Sequence, residues 1–258
     1  WLSYGNQEDE NIFLSLTGKK ELNSKNSLEA KFSYQTGDNF YETLNEEFSV
    51  IDQDRHFATS LGTELTFRHE RNAHRLLAGL AFDYDTSDST VTGEQRRYGV
   101  GLYLQDLWDL NDDLVLHSGL RWDRVERYQA MISPRLGLTW FLSDYLNLGL
   151  NYGTAFRVPT MNDLYGKWGG NPDLKPENGQ KLELTGHWKE THFSVAANIF
   201  QSFLRDGIIW SDPDSDGNFR PENVERLTTY GFGLISEYDW GAVVTGFGYT
   251  YLNQRGWD

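Results

Sequence analysis

Apolar residues recur at every second position through most of the chain, which is the repeat of a strand with one apolar face and not the 3.6-residue repeat of a helix. Leu146, Leu148, Leu150 and Tyr152 alternate with Asn147, Gly149, Asn151 and Gly153. Leu114, Leu116, Leu120 and Trp122 alternate with Val115, His117, Gly119 and Arg121 in the same way. The pattern returns at Leu28 to Tyr34, Phe57 to Phe67, Leu76 to Phe82, Leu136 to Trp140, Leu182 to Trp188, Phe193 to Ile199 and Tyr230 to Leu234. No stretch longer than about one turn reads as a good helix.

The second face separates a soluble sheet from a membrane sheet. A soluble strand shows water a run of Lys, Glu and Thr; here the alternate positions carry Gly, Asn, Ser, Glu, His and Arg, a mixture suited to a wet lumen packed against something else. The apolar runs last roughly eight to ten residues, the length a tilted strand needs to cross hydrocarbon. Trp108, Trp122, Trp140, Trp188, Tyr238 and Trp240 at their ends suit interfacial girdles.

Connections alternate in length. Tight links are expected at Asn23–Asn26, Glu70–Ala73, Asn111–Asp113, Ser143–Tyr145, Lys189–His192 and Asp239–Gly241, and long ones at Thr36–Asp54, Asp83–Gln95, Arg157–Gly179 and Leu204–Asn223. Arg124–Tyr128 is short where a long link is due. An up-and-down antiparallel barrel with tight periplasmic turns and long external loops produces this alternation, whereas a Greek key does not. The fold expected is therefore all-β, a transmembrane barrel of roughly a dozen strands across residues 1–258. Because the pattern is already running at Trp1 and stops at Asp258 just after a strand, the expectation is one barrel domain incomplete at both ends.

Composition sharpens this picture. No window holds the run of about 18 apolar residues that a spanning helix needs. Aromatic residues make up 15% of the chain, 25 Gly accompany 2 Met, and Cys is absent, as suits a barrel that does without disulfides. A net charge of −15 argues against nucleic acid, whose phosphates need a basic counter-surface. Acidic residues gather at Asp83–Glu94 and Asp206–Glu225, within the expected loops.

The segment Asn151–Glu183 resembles the signature of the TonB-dependent outer-membrane receptors. That signature is a strand ending Tyr-Gly-x-x-Phe-Arg-x-Pro, a loop with Leu-Tyr, then Gly-Asn-Pro-x-Leu-x-Pro-Glu. Here these positions are Tyr152, Gly153, Phe156, Arg157, Pro159, Leu164, Tyr165, Gly170, Asn171, Pro172, Leu174, Pro176 and Glu177. Weaker echoes fall at Tyr103, Gln105 and Asp106, at Ser133, Pro134 and Arg135, and from Asn223 to Gly231, so the resemblance runs from about Tyr98 onward. It implies a 22-stranded barrel in the bacterial outer membrane, in contact with lipid and lipopolysaccharide. It also implies an N-terminal plug domain and a short peptide pulled by the inner-membrane TonB complex, neither of which these residues contain. The expected activity is energised uptake of a scarce, bulky nutrient, a ferric siderophore or cobalamin, with no cofactor required. A passive porin is the first alternative and a barrel enzyme the second.

Phe156, Arg157 and Pro159 stand where a strand becomes a loop, so Pro159 interrupts no ladder and Arg157 can pair with a carboxylate of a plug or neighbouring strand. Tyr165, Trp168, Trp210 and Phe219 lie in or beside external loops, where they can stack on a flat chelate or corrin, or belong to the upper girdle. Asp212, Asp214 and Asp216 before Gly217 place three oxygen ligands around a glycine turn, as calcium loops do. The twelfth position of such a loop wants Glu and here is Asn223; the resemblance allows calcium nonetheless, since some cobalamin receptors order external loops with it. Asp106 falls on the lipid side, which requires either a place at the interface or a bulge. For an enzyme, His117 and Ser118 are adjacent in one strand and point to opposite faces, so they make no dyad. His69, His74 and His192 lie near the expected periplasmic turns, His56 and His187 stand singly, and the sequence shows no phospholipase or protease constellation.

Overall fold

The computed structural model describes residues 4–45, 47, 49–167, 169–212, 217 and 219–257. Its elements are β1 (Tyr4–Asn23), β2 (Asn26–Leu44), β3 (Val50–Arg71), β4 (His74–Ser89), β5 (Gln95–Asn111), β6 (Leu114–Val125), β7 (Met131–Phe141), β8 (Leu146–Arg157), α1 (Met161–Tyr165), β9 (Glu177–Lys189), β10 (Phe193–Ser211), β11 (Arg220–Asp239) and β12 (Val244–Trp257). The strands pair in sequence order within a single sheet whose ladders are all antiparallel. Among the described residues β1 and β12 are edges and do not pair with each other, so the barrel wall is an open arc.

Register turns the sequence alternation into two chemically distinct walls. Leu138, Leu150, Leu184, Ile199, Phe232 and Tyr251 are successive cross-strand partners from β7 to β12, an unbroken apolar row. One step along each strand, Thr139, Gly149, Thr185, Asn198, Gly233 and Thr250 form a row of small polar residues on the opposite face. Leu150 is 48% and Ile199 56% exposed, and among the described residues the buried apolar side chains are Ala81, Val91, Leu164, Leu174 and the two prolines Pro159 and Pro221. A water-soluble sheet would bury its apolar row; this one turns it outward, as only a lipid-facing wall does.

The tight turns mark the periplasmic rim. Trp108, Trp140, Trp188, Tyr238 and Trp240 are exposed there, with the Tyr238 and Trp240 rings 4.4 Å apart and His74 stacked on Trp108 at 4.9 Å. Asp106 keeps plain register with Leu76 and Ser118, so no bulge is present. Its carboxylate instead meets His74 Nδ1 at 2.7 Å beside that rim, which is the interfacial placement.

On the other rim the expected long loops prove to be mostly strand. β2 and β3 stay paired from Thr36 to Leu44, β4 runs to Ser89, and β10 and β11 stay paired out to Ser211 and Arg220. Strands of 16 to 22 residues such as β4 and β3 exceed the 9–11 or so that cross hydrocarbon, so the excess projects as hairpins beyond the membrane. The periodicity weakens there because neither face meets lipid. The link between β6 and β7 is indeed short, Glu126–Ala130, and among the described residues the one long excursion lies between β8 and β9.

Candidate functional site: a folded hub at the outer mouth

β7 and β8 pair only as far as Arg135 and Gly153, although β8 continues along β9 to Arg157 and Glu177. Pro134 stands where the ladder to β8 opens and therefore removes no bond from it. Beyond this opening the chain turns inward at Pro159, whose side chain is fully buried and whose carbonyl accepts from Arg97 Nη1 at 2.9 Å.

The five-residue helix α1 begins with a reciprocal cap: Asp163 N donates to Thr160 Oγ1 at 3.1 Å, and Thr160 N donates to Asp163 Oδ2 at 2.9 Å. Asp163 also accepts from the Trp210 indole at 3.1 Å on β10, and its carbonyl accepts from Asn171 N at 2.8 Å. Arg157 and Glu177 are direct cross-strand partners on the lumen face and form an ion pair. Glu177 Oε1 takes a further bond from Ile208 N at 2.7 Å. Arg157 holds the buried Glu177 carboxyl below the usual range, and the pair in turn raises the Arg157 guanidinium.

Four outer connections are tied to this segment. From the β10–β11 side, Asn171 Nδ2 donates to Pro221 O at 3.1 Å, and Asn223 bonds both ways with the Lys175 backbone, at 2.8 and 3.1 Å. From β6–β7, Arg127 lies over the Tyr165 ring, bonds its hydroxyl and reaches Pro172 O at 3.2 Å. Its φ of 75° is a left-handed conformation that an arginine adopts only where surrounding contacts impose it. From the β4–β5 connection Val91 O accepts from Lys167 N at 2.9 Å, and from the β2–β3 hairpin Asp54 pairs with Lys167 Nζ at 2.7 Å. Leu164 and Leu174, each 3% exposed, are the apolar centre of the hub.

The Asp54–Lys167 tie is an exposed latch. Lys167 lowers the Asp54 pKa and is itself raised. A depressed carboxylate stabilises above its unfolded pKa and loses that contribution as pH falls through the folded one. The latch is expected to persist across neutral pH and open in acid below the ordinary Asp range of about 3.9. Hydrogen exchange at residues 161–167 in Asp54→Asn should match the acid-opened wild type; unchanged protection at every pH would remove the latch from the account.

Gly170 has no substitute. An added Cβ would lie 2.5 Å from Gly166 N and 2.7 Å from Tyr165 N, which are backbone atoms that cannot rotate away. Gly170→Ala is expected to destabilise the hub by about 1–3 kcal/mol through overpacking. Limited proteolysis within 160–176 reads this, and wild-type resistance would contradict it.

Tyr152, Gly153, Phe156, Arg157, Pro159, Asn171, Pro172, Leu174, Pro176 and Glu177 thus run through or into one folded unit. Of the aromatic candidates, Tyr165 is engaged by Arg127, Trp210 is 38% exposed while bonded to Asp163, and Phe219 is 58% exposed; Trp168 lies outside the described residues. Asp212 accepts from Gly217 N at 3.0 Å, whereas Asp214 and Asp216 lie outside the described residues. Among the described residues no cluster of three or more His, Cys, Asp or Glu side chains is arranged to hold a metal ion. Sequence reasoning missed Asp54, Asp163, Lys167, Arg127 and Pro221. Only Asp163 carried a local signal, standing three positions after Thr160 as an acidic helix cap does.

The model of the family described as TonB dependent receptor-like, beta-barrel, matches residues 1–258. This chain belongs to the TonB-dependent receptor family. It is an outer-membrane β-barrel protein. Among curated relatives, the vitamin B12 transporter BtuB of Photobacterium profundum is 26% identical over 235 residues, covering 83% of this chain and 38% of its own length. An iron-regulated outer membrane virulence protein of Vibrio cholerae is 32% identical over 117 residues, covering 41% of this chain and 18% of its own. Among solved structures, the copper transporter OprC aligns with a TM-score of 0.83 at 16% identity, over 98% of this chain and 48% of that one. The ferric enterobactin receptor PfeA of Pseudomonas aeruginosa aligns at 0.80 and 16%, over 95% and 43%. The receptor chain thus spans less than half the length of these relatives and neighbours. The match also covers residues before Tyr98, where the sequence offered only the strand repeat.

Proposed function

We propose that the receptor containing this chain imports a scarce, bulky metal chelate or corrinoid, either a ferric siderophore or cobalamin, across the outer membrane. The energy would come from TonB, and a plug domain would fill the lumen of a barrel completed by further strands. The observation that carries this reading is the hub: five external connections meet in one unit at the mouth. Trp210 and Phe219 remain exposed there as flat apolar surfaces for a large ligand. A non-selective pore gains nothing from such organisation. The named activities of the relatives, vitamin B12 transport and ferric enterobactin reception, support the substrate class. Calcium held by Asp212, Asp214 and Asp216 would order the β10–β11 tip.

Whole-cell uptake of labelled cobalamin and ferric siderophores tests the proposal, in cells with and without TonB and with and without calcium. Uptake of one ligand that vanishes without TonB is expected, with weaker binding when calcium is chelated. Entry of small solutes indifferent to TonB would replace this reading with a porin. Uptake indifferent to calcium would remove the metal alone.

A further inference from the structure

His56 stands on the stretch of β3 that projects beyond the membrane, five residues past Leu61, whose cross-strand partner Tyr84 belongs to the outer end of the apolar band. It shares the lumen face with Asp54, and its partner on β4 is Ser89. Ser89 Oγ lies 2.6 Å from His56 Nδ1, and Val91 N donates to the same oxygen at 3.0 Å. Thr90 Oγ1 accepts from Arg55 N and donates to Asp54 Oδ1, each at 3.0 Å. Residues 54–56 and 89–91 are therefore one bonded corner. Both anchors of Lys167, the Val91 carbonyl and the Asp54 carboxylate, belong to it.

A proton on His56 disturbs both anchors. With the ring neutral, Ser89 accepts from Val91 N and turns its own proton toward Nδ1, so every group in the relay is matched. A protonated ring carries hydrogen on Nδ1 and competes with Val91 N for the Ser89 oxygen. The hydroxyl proton of Ser89, a residue only 6% exposed, then loses its acceptor. The electrostatic effect runs the same way. Lys167 is the chief cause of the lowered Asp54 pKa, and charge on His56 adds to it. Beside an imidazolium, Asp54 is already answered while the hub is open, so Lys167 gains less by closing and meets a like charge when it does.

We propose that His56 is a proton sensor for the mouth: protonated from the external medium, it loosens both anchors of Lys167 and releases residues 161–167 from the β2–β3 and β4–β5 side of the hub. Histidine suits this role because its charge changes between about pH 5 and 8, above the range in which an Asp titrates. Around His56, Asp52 and Asp54 lie on its own strand, and its β2 partner Asn39 donates to Asp9. Ser89 faces it from β4, and Lys167 comes from the hub onto Asp54. Asp85 and Arg97 answer each other at 3.6 Å, four residues nearer the membrane. Loosening at this step is partial, since Asp54 stays ionised; full release waits for Asp54 to titrate. The inference is independent of what the receptor imports.

Hydrogen exchange at residues 161–167 of the intact receptor in detergent, corrected for intrinsic rates, tests this at about pH 7.5 and 5.5. Wild type should lose protection roughly fivefold between them, the low end of couplings between sites. His56→Gln, which stays neutral, should show no such step yet still open below about pH 4 with Asp54. His56→Lys should hold the loosened state at both values. Should His56→Gln lose the heat-dependent gel shift of a folded barrel, Lys167→Gln is read instead, with low protection at both values and no step between them. A flat wild type would overturn the proposal. So would a step of equal size in folded His56→Gln or in Lys167→Gln, which would assign the proton to another group.

Discussion

Leu150→Arg is expected to destabilise the barrel by about 2–4 kcal/mol, while Asn151→Arg, one residue further, should change stability by less than about 1 kcal/mol. Leu150 lies at the centre of the outward apolar row between Leu138 and Leu184, so a guanidinium there must enter hydrocarbon or pull the strand toward an interface. Asn151 lies between Gly137 and Glu183 on the lumen face, and the space over Gly137 is what its side chain fills. An arginine there extends into water beside a carboxylate. Reversible unfolding from lipid vesicles would measure both. Equal costs at the two positions would show that the faces have been assigned wrongly; a larger cost at Asn151 would invert the wall.

Leu150 and Asn151 also show what the sequence makes legible. A strand that meets lipid on one side and water on the other must alternate, and the alternation survives as long as both environments do. Residues such as Ile199, Phe232 and Leu184 therefore betray the wall and its outward face, and mark Asp106 as needing either an interfacial place or a bulge. Beyond the outer leaflet both faces meet water, the constraint lapses, and Thr36–Leu44 reads as loop although it is paired strand. The hub was half visible. Its signature residues were recognised by likeness, but the physical reason lies in contacts across large separations, such as Lys167 to Asp54 and Asn171 to Pro221, which no local repeat records. Arg127 is the clearest case: nothing in its neighbours announces a left-handed arginine clamped over Tyr165.

Leu174→Ala is expected to loosen the mouth without weakening the wall. Leu174 is 3% exposed in a region where burial is scarce, so truncation removes about 2–4 kcal/mol from the local opening equilibrium. Hydrogen exchange should rise at residues 160–176 and 206–211, the segments joined through Asp163, Glu177, Trp210 and Ile208, while amides of β6 to β9 inside the apolar band stay protected. Glu177→Gln should affect the same segments by only about 1 kcal/mol. Its partner Arg157 is half exposed, so water screens the lost pair. The two variants separate further with pH. Glu177 has its pKa depressed, so the pair stabilises the hub above the ordinary Glu pKa of about 4.3 and is lost as pH falls through the lower folded value. Wild type should therefore converge on Glu177→Gln in acid, whereas Leu174→Ala stays offset at every pH. Exchange that rises throughout the barrel in Leu174→Ala would show that mouth and wall unfold as one unit. In that case the hub could not open for a ligand on its own, and ligand entry would require motion of the whole receptor.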